Sequence, residues 1–367
     1  MRGEKIFLAF IVGNITFQAL FQMVSGSSPL ISTLLAIIIT IAIGTLFKKK
    51  WTRQYIIITY FIFFLLGGIN STRVYNNKCI IASESRLVKI IANTRDKIIE
   101  KFKAKSALII PDSKSLAVIL AFTIGTKEDI DRSLKRAYQE SGAMHVLALS
   151  GLHIGIICNL MGYLLFFLGY TYRLRKIKLA IECIMIFLYT ALTGFGASVM
   201  RAALMIMMYR TVKYSGRRRG KWSTWIYSAA IILLFRPSAI LEIGFQLSFA
   251  AVAGIIAIYP VIMESISFGK GPIWKVIKIL WSMASISVAC QITTLPFAWY
   301  YFQAAPHYFL ITNLFAVPLV TASIYSFGFA YLTYGIPVIG EISGYITTRT
   351  VQLLNLIIDF IGSQPSI

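Results

Sequence analysis

Side chains that carry chemistry are scarce in this sequence. It has three histidines, four cysteines and only 14 acidic residues in 367. The cysteines (Cys79, Cys158, Cys183, Cys290) are scattered, and three lie in apolar segments, so neither a disulfide framework nor a metal site is expected. No GxxxxGK followed by Ser or Thr occurs, which excludes a nucleotide-driven motor of that type. Repeats and low-complexity tracts are missing too. The first apolar segment lacks a clear small-residue cleavage site and is followed at once by a second, so it reads as a retained span.

What is present is apolar and basic. Hydrophobic residues make up 57% of the chain, and 36 basic against 14 acidic residues give a formal charge of +22. This is the composition of a polytopic membrane protein. The predicted fold class is all-α, with about 9–11 transmembrane segments and broken or re-entrant helices lining a polar path. Apolar runs of spanning length fall near 6–24, 29–47, 54–69, 146–170, 241–260, 276–300, 308–334 and 338–361, with a shorter one at 222–236. The run 179–212 breaks at "TGFGAS" (Thr193–Ser198), around Gly194 and Gly196. It leaves two pieces of roughly 15 residues, too short to cross upright. They read as a re-entrant or bent hairpin, which needs protein or water around its irregular backbone.

The charge excess orients the chain. "KKKWTR" (48–53), "YRLRKIK" (172–178) and "RTVKYSGRRRGK" (210–221) are basic, whereas "SGSS" (25–28) and "YFQAAPH" (301–307) hold no Lys or Arg. The positive-inside rule puts the N-terminus in the cytoplasm, and 70–145 and the C-terminus outside. Three regions follow: 1–69, a hairpin plus a third span; 70–145, an extracytoplasmic segment; and 146–367, the main membrane domain. Within the second, 85–105 carries Leu87, Ile90, Ile91, Ile98 and Phe102 at helical spacing among Lys and Arg. That pattern suits a helix lying on the membrane or a lid packed on the bundle. The basic loop 210–221 is explained by topology alone and is assigned no site.

Five stretches resemble one family in its own order. They are "GTKEDIDRSLKRAYQESGAMHVLALSGLHIGII" (125–157), "GFGASVMRAALM" (194–205), "RPSAILEIGFQLSFAAVAGI" (236–255), "CQITTLPFAWYYF" (290–302) and "TNLFAVPLV" (312–320). Together they resemble the ComEC competence proteins of the bacterial inner membrane. The resemblance implies a channel passing one DNA strand across the cytoplasmic membrane, with helices broken near its centre. It also implies partners: a cytoplasmic helicase-like ATPase, single-strand binding proteins inside and a DNA receptor outside. Two family features are not matched. Residues 70 to about 84 are too few for an OB-fold barrel. The three histidines include no HxHxDH pattern, so a nuclease role is not supported by these residues: a separate chain supplies it, the sequence is a truncated piece, or the feature is absent.

A strand of phosphates needs a wet, positively polarised path, because even one charge costs a few kcal/mol at the bilayer centre. Arg201, one turn after the glycine break, is the first candidate, beside exposed helix N–H groups suited to phosphate. Gln246, Ser248, Gln291 and Asn313 are uncharged groups able to hydrogen-bond a strand without trapping it. The alternative for each is interhelical hydrogen bonding. Pro296 and Pro318 are expected to break their helices. His145, Ser150 and His153 stand at the mouth of an apolar helix. In a continuous helix the two histidines are about 12 Å apart along the axis, which rules out one shared metal. They are expected to line the outer vestibule, with a helix-capping role as the alternative. Ser150 beside His153 suggests an intramembrane hydrolase, but "ALSGL" lacks the expected nucleophile pattern and the only remote histidine is His307. The chain is therefore read as a non-enzyme without cofactor. Its partners are single-stranded DNA and membrane lipid. The rival reading is a secondary transporter for a small anion, which also uses broken helices.

Overall fold

The computed structural model describes residues 11–13, 86–147, 149–166, 172–214, 220–303 and 308–364. The expected spans near 6–24, 29–47 and 54–69, the loop 48–53 and His307 lie outside the described residues. The described chain is helical, and among these residues there is no strand. It divides into two compact units. One holds 217–249 together with the first 84 residues; the other holds 85–216 and 250–367.

In the larger unit, α1 (Arg86–Ile109) leads into α2 (Ser113–Thr123), α3 (Arg132–Glu140) and the single turn α4 (Met144–Leu147). Beyond its exposed first residues, Ser113 and Lys114, α2 is apolar and buried all round: Ala117 to Phe122 are all within the core. An 11-residue helix of this kind cannot stand alone and is held by its neighbours. Its first turn is capped by Asp112, whose carboxylate accepts from the Ser115 backbone N–H and hydroxyl. The core around it takes Ile109 and Ile110, Tyr138, Val146 and Leu147. α12 (Phe309–Thr333) adds Val320, Ile324 and Phe327, and α13 (Ile339–Gly362) adds Val351, Leu354 and Ile358. Each such side chain is worth about 1.5–3 kcal/mol when fully buried. Residues 109–147, read from sequence with the extracytoplasmic segment, thus share one core with α12 and α13.

α1 takes the lid-like alternative, packed on the bundle. Phe102 stacks on Tyr331 with ring centroids 5.2 Å apart and meets Phe327 edge-on, while the Lys105 ammonium sits 4.0 Å above Tyr331. α12 and α13 approach closely through small residues and hydroxyls. Thr347 donates to Ser326 across the pair, a Cβ on Gly340 would lie 2.9 Å from the Thr333 carbonyl, and Gly344 brings α13 against the end of α1, where a Cβ would lie 2.6 Å from the Ile109 carbonyl.

α5 (Gly151–Leu164), α6 (Tyr172–Leu192) and α7 (Ala197–Tyr214) form a second cluster in the same unit, centred on Ile154, Cys158, Ile186, Val199 and Ala203. The 179–212 run is a helical hairpin, but its arms are longer than expected. Helix α6 has 21 residues and α7 has 18, about 31 and 27 Å. The break is confined to Thr193–Gly196, and α6 begins before the expected run, continuing through Arg175, Lys176 and Lys178. Lys178 and Arg210 stay helical because they pair inward with Glu182.

The smaller unit contains α8 (Lys221–Phe235), a 3-10 turn (Pro237–Leu241) and the start of α9 (Ile243–Ala257). The Trp225 indole donates to the Phe249 carbonyl, and Arg236 pairs with Glu242 at 2.8 Å. The rest of α9, α10 (Tyr259–Glu264) and α11 (Pro272–Phe302) belong to the larger unit. A Cβ on Gly254 would lie 2.3 Å from the Ala289 carbonyl, so α9 and α11 touch backbone to backbone there.

Three described helical runs are long and apolar enough to cross a membrane: Ile243–Glu264, Pro272–Phe302 and Phe309–Thr333. α13 shows Ile342, Ile346, Leu353, Leu356 and Phe360 on one exposed apolar face. The chain is an all-α membrane protein.

Candidate functional site: paired helix breaks

The first break separates α4 from α5. Ser150 is extended (φ −120, ψ 173) and starts α5. Nδ1 of His153 accepts the Ser150 N–H at 3.2 Å, the reciprocal half of a capping box in which histidine replaces the usual Glu or Gln. The Ser150 hydroxyl lies 3.0 Å from the same nitrogen. Because Nδ1 accepts, the neutral ring carries its proton on Nε2. His153 was expected on the wall of the path; it is 0% exposed, packed against Phe122, and caps a helix. Ser150 is half-buried beside it.

The second break is the hairpin tip. Gly194 has φ 79 and Phe195 φ 53. The left-handed pair turns the chain within four residues, and only glycine takes that region without penalty. The last carbonyls of α6 are all engaged: the Phe195 N–H reaches Thr190, the Gly194 N–H reaches Ala191, and the Arg95 Nε–H reaches Leu192 at 2.9 Å. Arg95 comes from α1, and its guanidinium packs where a Cβ on Gly194 would sit, 3.1 Å away. Sequence reasoning missed it, since nothing in an amphipathic pattern marks which arginine will find a helix end 97 residues away.

These two breaks are neighbours. Gly151 abuts Ala202, next in sequence to Arg201, and the pairings continue down the helices to Gly162 beside Arg210. α5 and α7 therefore run parallel, α7 starting five residues, about 8 Å, before the level of Gly151. Each terminus carries about half a positive charge. Arg201 is buried in the first turns of α7.

A third group stands beside the first break. His145 lies on α4 with an exposed edge; its Nδ1 is 3.0 Å from the Gly142 carbonyl and its Nε2 3.0 Å from Oδ1 of Asn313 on α12. Asn313 is buried, and Phe309 lies 5.3 Å from the imidazole. The Thr312 hydroxyl donates to the Ser141 carbonyl at 2.7 Å, fixing α12 against this turn. Two states fit the geometry. An imidazolium donates from both nitrogens to the two oxygens; a neutral ring needs the Asn313 amide turned so that its NH2 faces Nε2. The packing of protein around the ring pushes its pKa below the ordinary histidine value, so the neutral state is favoured at pH 7.

The remaining candidates do not join this group. Gln246 and Ser248 belong to the smaller unit, where the Gln246 amide folds back on the Ile240 carbonyl. Gln291 is half-buried on α11. Pro296 and Pro318, expected to break their helices, lie inside continuous α11 and α12. Hydroxyls hold the turns around them: Thr293 donates to Ala289, Thr294 to Cys290 and Thr321 to Val317. Neighbouring packing and these side-chain bonds offset the bond each proline removes.

Sequence reasoning also passed over a buried charge cluster at the other end of α5–α7. Glu182 meets Arg210 at 3.2 Å and Lys178 at 4.0 Å, and Arg210 reaches Oδ1 of Asn159 at 3.0 Å. The available signal was the lone acid in "LAIECIMIFL" (179–188).

Such a bundle, with adjacent broken helices presenting polar groups among apolar spans, is a polytopic membrane protein built around internal helix ends. The family described as Competence protein matches residues 122–366. The chain belongs to this family. It is 32% identical to ComE operon protein 3 of Bacillus subtilis (strain 168) over 59% of this chain and 26% of that protein. It is 31% identical to competence protein ComA of Neisseria gonorrhoeae over 39% of this chain and 21% of that protein. An uncharacterized Escherichia coli (strain K12) protein, YcaI, is 29% identical over 56% and 27%. The chain thus spans about a quarter of the length of these curated relatives. No solved structure matches it.

Proposed function

We propose that this chain acts in competence DNA uptake as the membrane channel for a single DNA strand. The observation that carries the reading is the parallel pairing of α5 and α7, whose N-terminal turns lie within about 8 Å of each other along the axis, with Arg201 buried in the early turns of α7. Two half-dipoles and a guanidinium favour a phosphate where bare hydrocarbon would reject it. Family membership supplies the substrate class. His145, exposed and flanked by Phe309, is suited to stack on a base at the approach to this point. The partners proposed to move the strand are a cytoplasmic helicase-like ATPase pulling and an outer receptor delivering. The membrane is the cytoplasmic one, with the hairpin tip and the C-terminus outside.

The test is transformation of a host depleted of its own channel, scoring internalised labelled DNA at matched membrane expression. Wild-type chain should restore uptake. Arg201→Ala should lower it roughly tenfold or more, about 1.4 kcal/mol of lost phosphate stabilisation, with DNA accumulating outside. Full uptake by Arg201→Ala would remove the paired helix ends from the path. Failure of a well-expressed wild type would defeat the reading.

A further inference from the structure

The far end of α5–α7 holds more charge than packing requires. Glu182 is 3% exposed and lies between Arg210 and Lys178, whose side chains are 15% and 11% exposed. One carboxylate between two cations leaves a surplus of one positive charge in the protein interior. The contacts are also slack. A single Arg210 nitrogen, Nη1, straddles both carboxylate oxygens at 3.2 Å each, and Lys178 stands off at 4.0 Å. Charge-assisted bonds run at about 2.7–2.9 Å, and the strongest arginine pairs put two nitrogens on two oxygens. Here the second terminal nitrogen turns to Asn159, and Lys178 makes its short bond, 3.0 Å, to the Gly162 carbonyl. The carboxylate is too small to satisfy both cations at once. Beside it is a tight gap lined by Cys158, Met161 and Ile186. From this pair, basic residues continue to the open end of the hairpin: Arg175 and Lys176 lie less than a turn before Lys178, and Lys213 less than a turn after Arg210, all exposed.

We propose that Arg210 and Lys178 form a phosphodiester-binding site which Glu182 fills in the resting protein as an internal stand-in for phosphate. The inference rests on the strand-channel reading and places a second phosphate contact at the inner end of the same helices. A phosphodiester presents more oxygens on a larger frame and spans the two cations that Glu182 cannot. The exchange replaces one anion by another, so the buried cations never stand uncompensated. The carboxylate swings away as the strand arrives and returns when it leaves, closing the inner end.

The experiment uses the full chain in lipid nanodiscs and a fluorescent oligodeoxythymidylate, with affinity measured against salt. Glu182→Gln should bind several-fold more tightly than wild type, because the competing carboxylate is gone. Arg210→Gln and Lys178→Gln should bind more weakly, each flattening the salt dependence by about 0.7 in log–log slope. Equal or weaker binding by a monodisperse Glu182→Gln protein, its Cys158 thiol still protected, would overturn the site. A photo-crosslinking side chain at Met161 tests the site with all charges in place: it should capture the bound oligonucleotide, and binding without capture overturns the site. Loss of the Glu182→Gln gain in phosphatidylglycerol discs, but not phosphatidylcholine discs, would assign the phosphate to lipid and overturn the strand assignment. A wild type that binds no oligonucleotide in either disc would bring down the channel reading itself.

Discussion

The hairpin tip contains two glycines within three residues, and their local geometry predicts opposite responses to the same substitution. Gly194 has φ 79, and an added Cβ would meet the Arg95 guanidinium at 3.1 Å. An alanine there takes the left-handed penalty, about 1–2 kcal/mol, and also pushes Arg95 from the Leu192 carbonyl it caps. That hydrogen bond is charge-assisted, worth about 1.5–3 kcal/mol by the general scale. Arg95 is long and half-exposed, so the lower end applies and a total near 2.5–3.5 kcal/mol is expected. Gly196 is not in the left-handed region, and its Cβ would meet only a Val199 methyl at 3.8 Å, an ordinary contact. Gly196→Ala should be neutral, or stabilising by about 0.4–1 kcal/mol through the unfolded chain. The assay is thermal unfolding in detergent followed with a thiol-reactive dye, since Cys158 is buried and reacts on opening. Arg95→Ala should destabilise less than Gly194→Ala, and the double variant should fall short of the sum because both lose the same contact. Equal losses from Gly194→Ala and Gly196→Ala would refute the reasoning: the tip would then be governed by a feature other than its handedness.

Other substitutions follow from single contacts. Gly254→Ala should destabilise by about 1–3 kcal/mol, because Ala289 backbone lies 2.3 Å from the new Cβ and a carbonyl cannot rotate away; unfolding at the wild-type temperature would count against it. Asp112→Ala should cost about 1 kcal/mol by uncapping α2. Hydrogen bonds from Ser115 hold the Asp112 carboxyl below its ordinary pKa, so the stabilisation is complete above about pH 4 and fades as pH falls below it. Asp112→Asn should remove that acid limb, and an unchanged stability profile between wild type and Asn would contradict it. Asn313→Asp sets a carboxylate 3.0 Å from the His145 ring and should raise the depressed imidazole pKa; NMR titration of His145 reports it, and a further fall would exclude the contact.

What the sequence disclosed and what it hid divide along one physical line. Long apolar runs announce helices because lipid or protein must cover every turn, and α9, α11, α12 and α13 lie close to where the runs predict them. The glycine break at 194–196 was legible because φ near +79 needs glycine. The start of α6 was not, because hydropathy counts Lys178 as a breaker. Only the fold reveals that Lys178 and Arg210 share one carboxylate, Glu182. α2 was hidden for the converse reason: its apolar stretch Leu116–Phe122 is too short to signal a span, yet α1, α4, α12 and α13 pack around it. The same logic separates the two histidines. Spacing puts both at a helix mouth, but the helix start at Ser150 turns His153 inward as a cap, while His145 keeps an exposed edge on Asn313. Charge inside a membrane protein is thus informative only with its partner in view. The sequence names Arg201, Arg210 and Arg95 alike as arginines; contact alone distinguishes one beside paired helix ends, one sharing a carboxylate and one capping a carbonyl.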